Sequence, residues 1–479
     1  MRTSIAVLLT ALTIASSANV AVGDVLPLQG RTRPLNFTVE EGTWMSVDVT
    51  PDGQQVVFDL LGDLYTMPVT GGTAVALTRG VPYDSQPRIS PDGQWLAFVS
   101  DREGDDDLWV MRRADGSLRQ LSSNRQGIAI APSWTADSQQ VLVAEATTQV
   151  STQLGSPEAK FRLYSLSGAV TDVLDQDGKP VTGSGGVVAK DGRYLYFAQR
   201  NPVDDAIYGM PIAQIRRLDL TNGIVESLTN GAGGGTRPVI SADGKLLIYA
   251  TRDAGRTVLR KRDLESGSDQ LLTRSAQQDR QDYGRALRGD HLPGYVLMSD
   301  GQSVLLSSGG KIRRVRVRDG VATEIPLRAD VSLEVGPRLH KPYRVEQGPL
   351  TARIAQWPSF SPDGRRIVTS ALTKLYVMPA RAGALPERVT RGDALEYQPV
   401  WSADGQWLAY IVWTREGGHI WKVRADGRGA QQLTIHPAFY TDLAFSADGQ
   451  RILAMRGSPR MRANTPEHPQ LRIPLDLVW

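Results

Sequence analysis

Residues 90–111 read Ser90-Pro91-Asp92-Gly93-Gln94-Trp95-Leu96-Ala97-Phe98-Val99-Ser100-Asp101-Arg102-Glu103-Gly104-Asp105-Asp106-Asp107-Leu108-Trp109-Val110-Met111, and this stretch decides the fold. Pro fixes φ at the first corner of a turn, Asp bonds its own backbone, and Gly takes the positive φ that a side chain resists. The run Trp95–Val99 has no polar side, so it is a strand packed on both faces. A polar turn follows, then a third strand from Asp107.

The same unit recurs along the chain. Copies of the turn are Thr50-Pro51-Asp52-Gly53, Ser90-Pro91-Asp92-Gly93, Ser241-Ala242-Asp243-Gly244, Ser361-Pro362-Asp363-Gly364, Ser402-Ala403-Asp404-Gly405 and Ser446-Ala447-Asp448-Gly449. Looser copies centre on Asp137, Asp191 and Asp300, and the nine Asp positions are 40, 45, 54, 52, 57, 63, 41 and 44 residues apart. Third strands recur at Asp63–Met67, Lys374–Met378 and His419–Val423. Short outer strands end in Leu-Thr, as at Leu77-Thr78, Leu228-Thr229, Leu272-Thr273 and Leu433-Thr434. A period of about 40 to 60 residues with four strands per unit predicts an all-β chain, a β-propeller of four-stranded antiparallel blades. The Trp or Tyr of each third strand fills the space between sheets.

The longest gap, Asp300 to Asp363, suggests a division. Residues 336–363 restate the layout of 29–52: a basic, Pro-containing lead, an extended stretch, then a strand before the Asp-Gly turn. The expected organisation is a leader at 1–23, a first propeller of about six units at 24–335, and three further units, part of a second propeller, at 336–479. A single ring with a long loop is the alternative, although nine blades exceed the usual four to eight. Leu471–Trp479 reads as the third strand of the ninth unit, which leaves an edge to be paired. Either the opening strand around Leu35–Val39 pairs back to it, or the natural polypeptide continues past Trp479; the second is expected here.

Arg2 followed by the apolar run Ile5–Ile14 and small residues up to Gly23 has the form of an export signal, cleaved after Ala18 or Gly23. No later run reaches the roughly 20 apolar residues of a membrane span. The mature chain is therefore expected to be periplasmic. Cys is absent, which excludes disulfides, thiol nucleophiles and Cys-ligated metals. Basic and acidic residues number 54 and 51 and are interspersed, so no nucleic-acid footprint stands out.

The Ser-Pro-Asp-Gly units followed by Asp-Leu-Tyr/Trp resemble the PD40, WD40-like repeats of the TolB-like propeller superfamily, also found in tricorn-type proteases and prolyl oligopeptidases. Glu41–Val49 with Phe58–Tyr65, Gly417–Trp421, Pro437–Asp442 and Asp476–Trp479 resemble more closely the propeller region before a C-terminal amidohydrolase domain of periplasmic proteins. The likeness covers nearly all of the mature chain. It implies a propeller fold, and metal-binding His and Asp residues in a domain after the propeller, so no catalytic residue carries over.

A search for chemistry agrees. His291, His340, His419, His436 and His468 form no His-x-His, His-Glu-x-x-His or helical pair. No Gly-x-Ser-x-Gly elbow is present. Gly183–Gly186 and Gly231–Gly235 lack the lysine and helix of a phosphate loop and read as wide turns. The acidic run Asp101–Asp107 reads as a solvated hairpin loop rather than a calcium site. No metal or cofactor is expected. The binding candidates are Tyr83, Asp84 and Gln86, with Glu396, Tyr397, Gln398 and Asp442 in the corresponding places of later units. All precede or begin the innermost strand, which in a propeller faces the channel. The expected function is that of a non-catalytic periplasmic interaction module, TolB-like, binding an envelope protein. The alternative is the propeller of a metal-dependent amidohydrolase whose catalytic domain is attached or co-encoded.

Overall fold

The computed structural model describes residues 30–123, 127–147, 159–200, 213–231, 233–280, 291–337, 348, 351–464 and 473–479. The leader, His340 and His468 lie outside these residues. Within them the chain is all-β apart from one short helix, Pro459–Asn464. Its strands form nine sheets in sequence order. Each unit read in the sequence becomes one antiparallel sheet, here called a blade. Blade 2, for example, runs Asp84–Ile89, Trp95–Ser100, Asp107–Arg112 and Leu118–Gln120 from inside to outside.

The turn chemistry is as the sequence predicts. In blade 2, Ser90 Oγ donates to Asp92 Oδ1 at 2.5 Å, accepts from Trp95 N at 2.9 Å, and Gly93 has φ 72°. Asp52, Asp243, Asp363, Asp404 and Asp448 accept from their own Ser or Thr in the same way. Gly53, Gly244, Gly364, Gly405 and Gly449 share the positive φ. A second recurring bond closes the outer edge of the blades. The Thr or Ser after the fourth strand accepts an N–H near the start of the third: Leu64 N to Thr78, Leu108 N to Ser122, Ile215 N to Thr229 and Ile420 N to Thr434, at 2.8–3.0 Å. This is why the Leu-Thr ending repeats.

Each second strand is buried on both faces because alternate side chains serve different neighbours. Leu96 and Phe98 pack on blade 1, whereas Ala97 and Val99 pack on blade 3. The buried apolar side chains accordingly fall into clusters that each join two consecutive blades. Six of these clusters close a circle, since Leu305, Ile312 and Ile325 of blade 6 pack on Met45, Val47, Val56 and Tyr65 of blade 1. Hydrogen bonds seal the joint: Val47 N donates to Gly294 O at 2.8 Å, Gly294 N to Ser46 Oγ at 3.0 Å, and Ser307 Oγ to Met45 O at 2.6 Å. Blades 7, 8 and 9 are joined in series by two further clusters.

Two expectations, and one alternative that is not the expected one, need correction. The opening strand, Arg33–Val39, does not pair with the last blade; it pairs with Leu327–Val335, which runs parallel to Gly72–Ala76 and so widens blade 1 to six strands. Gly183–Gly186 is not a wide turn, because Ser184–Val188 is the inner strand of blade 4. Glycine is needed there because a Cβ on Gly186 would meet Phe161 and Leu142 at 2.7 and 2.9 Å. The acidic loop is not wholly solvated: Asp107 is buried and accepts from Ser122 Oγ at 2.7 Å and Gln120 Nε2 at 2.9 Å. The ninth blade has three strands among the described residues, the last being Asp476–Val478.

Candidate functional site: the axial channel

The inner strands of blades 2 to 5 and 7 to 9 carry a bulge six residues before the turn Asp. Gln86, Ala131, Gly185, Arg237, Trp357, Gln398 and Asp442 all have φ between 51° and 60° there. The ladder register shifts at the same point in each of these blades. A bulge bends the strand and strengthens its twist, which suits a strand lining a narrow axis. It also leaves an unpaired N–H, and the neighbouring blade can satisfy it. Gln86 Oε1 accepts from Ala131 N at 2.9 Å, Gln398 Oε1 from Asp442 N at 3.0 Å, and Asp59 Oδ2 from Gln86 N at 2.7 Å. Trp134 Nε1 donates back to Arg88 O at 2.9 Å, and Trp401 Nε1 to Ser359 O at 3.1 Å.

These bonds locate the residues singled out in the sequence. Asp84 is buried and held by both carboxylate oxygens to Arg102 at 2.6 and 2.8 Å. Burial pushes its carboxyl above the usual range, against the pull of Arg102. Glu396, at the same place in blade 8, is buried and accepts from Leu375 N at 3.2 Å and from Thr390 Oγ1. Gln86 and Gln398 stitch blade to blade. Tyr397 is half-buried, edge-on to Trp357 with centroids 5.9 Å apart. Tyr83 and Asp442 are exposed. The seven residues sit in two separate groups, one in blade 2 and one in blades 8 and 9.

The channel of the first six blades is lined mainly by a different set, the second half of each inner strand. A cavity of about 420 Å³ receives residues from all six, among them Asp48, Arg88, Trp134, Lys190, Arg237 and Tyr295. The Arg88 and Arg237 guanidiniums converge, because a Cβ on Gly294 would collide with Nη2 of both. Arg88 Nη1 also donates to Val47 O at 2.9 Å. Asp48 accepts from Ile89 N at 2.7 Å; burial pushes its carboxyl up while the two arginines pull it down. Asp59 lies behind it, pushed up to about 6 by burial despite accepting from Gln86 N and Ser46 N and facing Arg88. Sequence reading missed these residues. Their signal was a charged residue inside an otherwise apolar inner strand, as in Pro87-Arg88-Ile89. Among the described residues no group of three His, Cys, Asp or Glu could hold a metal ion, and no helix is long and apolar enough to cross a membrane.

Four-stranded blades around a lined axis define a β-propeller, and its relatives are propellers of the TolB and tricorn type. The family model of the tricorn protease N-terminal beta propeller domain matches residues 46–200. An uncharacterized peptidase of Bacillus subtilis (strain 168), YuxL, is 30% identical over 183 residues, 38% of this chain and 23% of that protein. The Tol-Pal system protein TolB of Desulfosudis oleivorans is 35% identical over 72 residues, 15% of this chain and 16% of that one. The chain thus spans less than a quarter of either relative. Among solved structures, a putative TolB from Agrobacterium tumefaciens is 19% identical with a TM-score of 0.39, covering 50% of this chain and 89% of that chain. The tricorn protease is 16% identical with a TM-score of 0.42, covering 88% of this chain and 38% of that chain.

Proposed function

We propose that the chain is an exported, non-catalytic propeller that binds a protein of the cell envelope across one end of its channel, as a TolB-like interaction module in the periplasm. The observation that carries this reading is the cavity to which all six blades contribute, with Arg88, Lys190, Arg237 and Asp48 among its lining. Groups brought from six separate repeats to one axis form a recognition surface that no single blade could present. Lys190 is exposed and stands in a turn rather than a core, so it is the group best placed to meet a partner.

The test is capture of cross-linked partners from the native envelope by the tagged chain. One stoichiometric protein, retained by wild type and lost in Lys190→Glu with an unchanged thermal midpoint, is the expected result. Equal retention by Lys190→Glu and by a channel-blocking Ala242→Trp variant would overturn the channel reading.

A second reading is a propeller that serves an attached or co-encoded metal-dependent amidohydrolase. What supports a hydrolase partner of any kind is that one relative, of which this chain spans 23%, is named an uncharacterized peptidase. Under it, the native envelope species carries these peptides together with hydrolase peptides, and hydrolysis follows the latter.

A further inference from the structure

The channel of the first six blades carries more positive than negative charge. Among the described residues its charged lining is Arg88, Lys190 and Arg237 against Asp48. Arg88 and Arg237 come from blades 2 and 5, which stand opposite each other in a ring of six. They nevertheless meet. A Cβ on Gly294 would lie 2.2 Å from Nη2 of Arg88 and 2.8 Å from Nη2 of Arg237, so the two nitrogens are no further apart than those distances added together. Bringing two guanidiniums so close inside a protein is costly, because like charges repel and water screens them poorly there.

The surrounding backbone holds them in that arrangement. Arg88 Nη1 donates to Val47 O at 2.9 Å and to Pro87 O at 3.1 Å, neutral acceptors that fix the guanidinium without cancelling its charge. The Tyr295 hydroxyl donates to Arg237 O. Gly294 is pinned through its N–H to Ser46 Oγ and its carbonyl to Val47 N, and it leaves the room that any side chain would take. The counter-charge is thin. Asp48 accepts from Ile89 N at 2.7 Å, and burial pushes its carboxyl up. Asp59 stands behind the lining, with its oxygens taken by Ser46 N and Gln86 N. Lys190 adds a third cation at an exposed turn, whereas Arg237 is 4% exposed, so positive charge runs from the mouth inward.

We propose that the channel is a carboxylate site, which receives the Asp or Glu side chains of an acidic segment on the partner protein. Guanidiniums bind carboxylates through paired, charge-assisted N–H···O bonds. Three cations against one carboxylate call for more acid than a lone chain terminus brings, and an acidic segment supplies it. A carboxylate site here presupposes that the channel is the binding surface, and it gives the partner a chemical signature.

The experiment is isothermal titration of the full chain with an acetylated, amidated hexaglutamate peptide, beside its hexaglutamine counterpart. Hexaglutamate is expected to bind, more weakly as salt rises, and hexaglutamine not to bind. Arg88→Gln should weaken binding about tenfold or more, through loss of charge-assisted bonds. That change also removes a bond to Val47, so Lys190→Gln at the exposed turn gives a second measurement, with a loss of about threefold. Arg381→Gln, exposed on blade 7, should bind as wild type does. No binding of hexaglutamate at any salt would overturn the proposal, and so would an affinity unchanged in both Arg88→Gln and Lys190→Gln. Equal binding by hexaglutamine with a free C-terminal carboxylate would overturn the assignment to acidic side chains. The channel reading stands or falls separately. Capture of the envelope partner that ignores both Lys190→Glu and Ala242→Trp sinks it even where hexaglutamate binds, and capture lost in Lys190→Glu keeps it even where hexaglutamate does not.

Discussion

Ser402 shows what one hydroxyl does in this molecule. Its Oγ donates to Asp404 at 2.5 Å and accepts from Trp407 N at 2.9 Å, joining the turn to the strand that follows. Ser402→Ala removes both bonds at a buried site and is expected to cost on the order of 1–2 kcal/mol, read as a shift of the urea midpoint at constant slope. The hydroxyl also holds the exposed Asp404 carboxyl below the usual range. Asp59 behaves in the opposite sense. Its folded pKa of about 6 lies above the ordinary 3.8, so the folded state holds the proton more tightly. The stability this gives is full below about pH 4 and is lost as pH rises through about 6, on the order of 3 kcal/mol at most. Asp59→Asn should flatten the fall in thermal midpoint across that window; an unchanged fall would show that another group titrates there. The Ser-x-Asp-Gly turns were legible because every bond in them is local. The work of Gln86 and Asp59 was not, since each bonds the bulged inner strand of a neighbouring blade, up to 45 residues away in sequence.

At the scale of the blade, identical sequence positions meet different surroundings, and this gives a direct comparison. Leu305 and Leu453 both stand five residues after a turn Asp, the first buried between blades and the second exposed. Leu305→Ala opens a cavity and should cost about 2–4 kcal/mol, whereas Leu453→Ala in the single chain should cost less than about 1 kcal/mol. Paired chemical denaturation curves measure both. Gln86→Ala should cost about 1–3 kcal/mol, because it leaves the buried Ala131 N–H without an acceptor. Tyr83→Ala, at an exposed position just before the same strand, should cost little. Blade number, strand order and two-sided packing could be read from the sequence through period and alternation. The inner strand of blade 4 could not, because Ser184-Gly185-Gly186-Val187-Val188 carries little apolar signal. Gly186 answers to Phe161 and Leu142 on the next sheet rather than to a turn.

Across the whole molecule, the joint between blades 1 and 6 separates a closed assembly from an open one. Ser46, Val47, Gly294 and Ser307 bond across it, and Leu327–Val335 returns to the outer edge of blade 1, tying the end of the ring to its beginning. The arc of blades 7 to 9 touches the ring through its short helix, where Arg460 meets Asp253 at 2.6 Å beside Arg274. That contact lies at the surface and contributes modestly. The ring's own clusters complete a circle without the arc, so we propose the six blades as a folding unit in their own right. The most direct measurement is thermal unfolding of residues 30–337 expressed alone, followed by circular dichroism and light scattering. A monomer with β-sheet signal and one cooperative transition is predicted. An aggregated or non-cooperative product would mean that the six blades need the remaining three, and the closed ring would have to be given up.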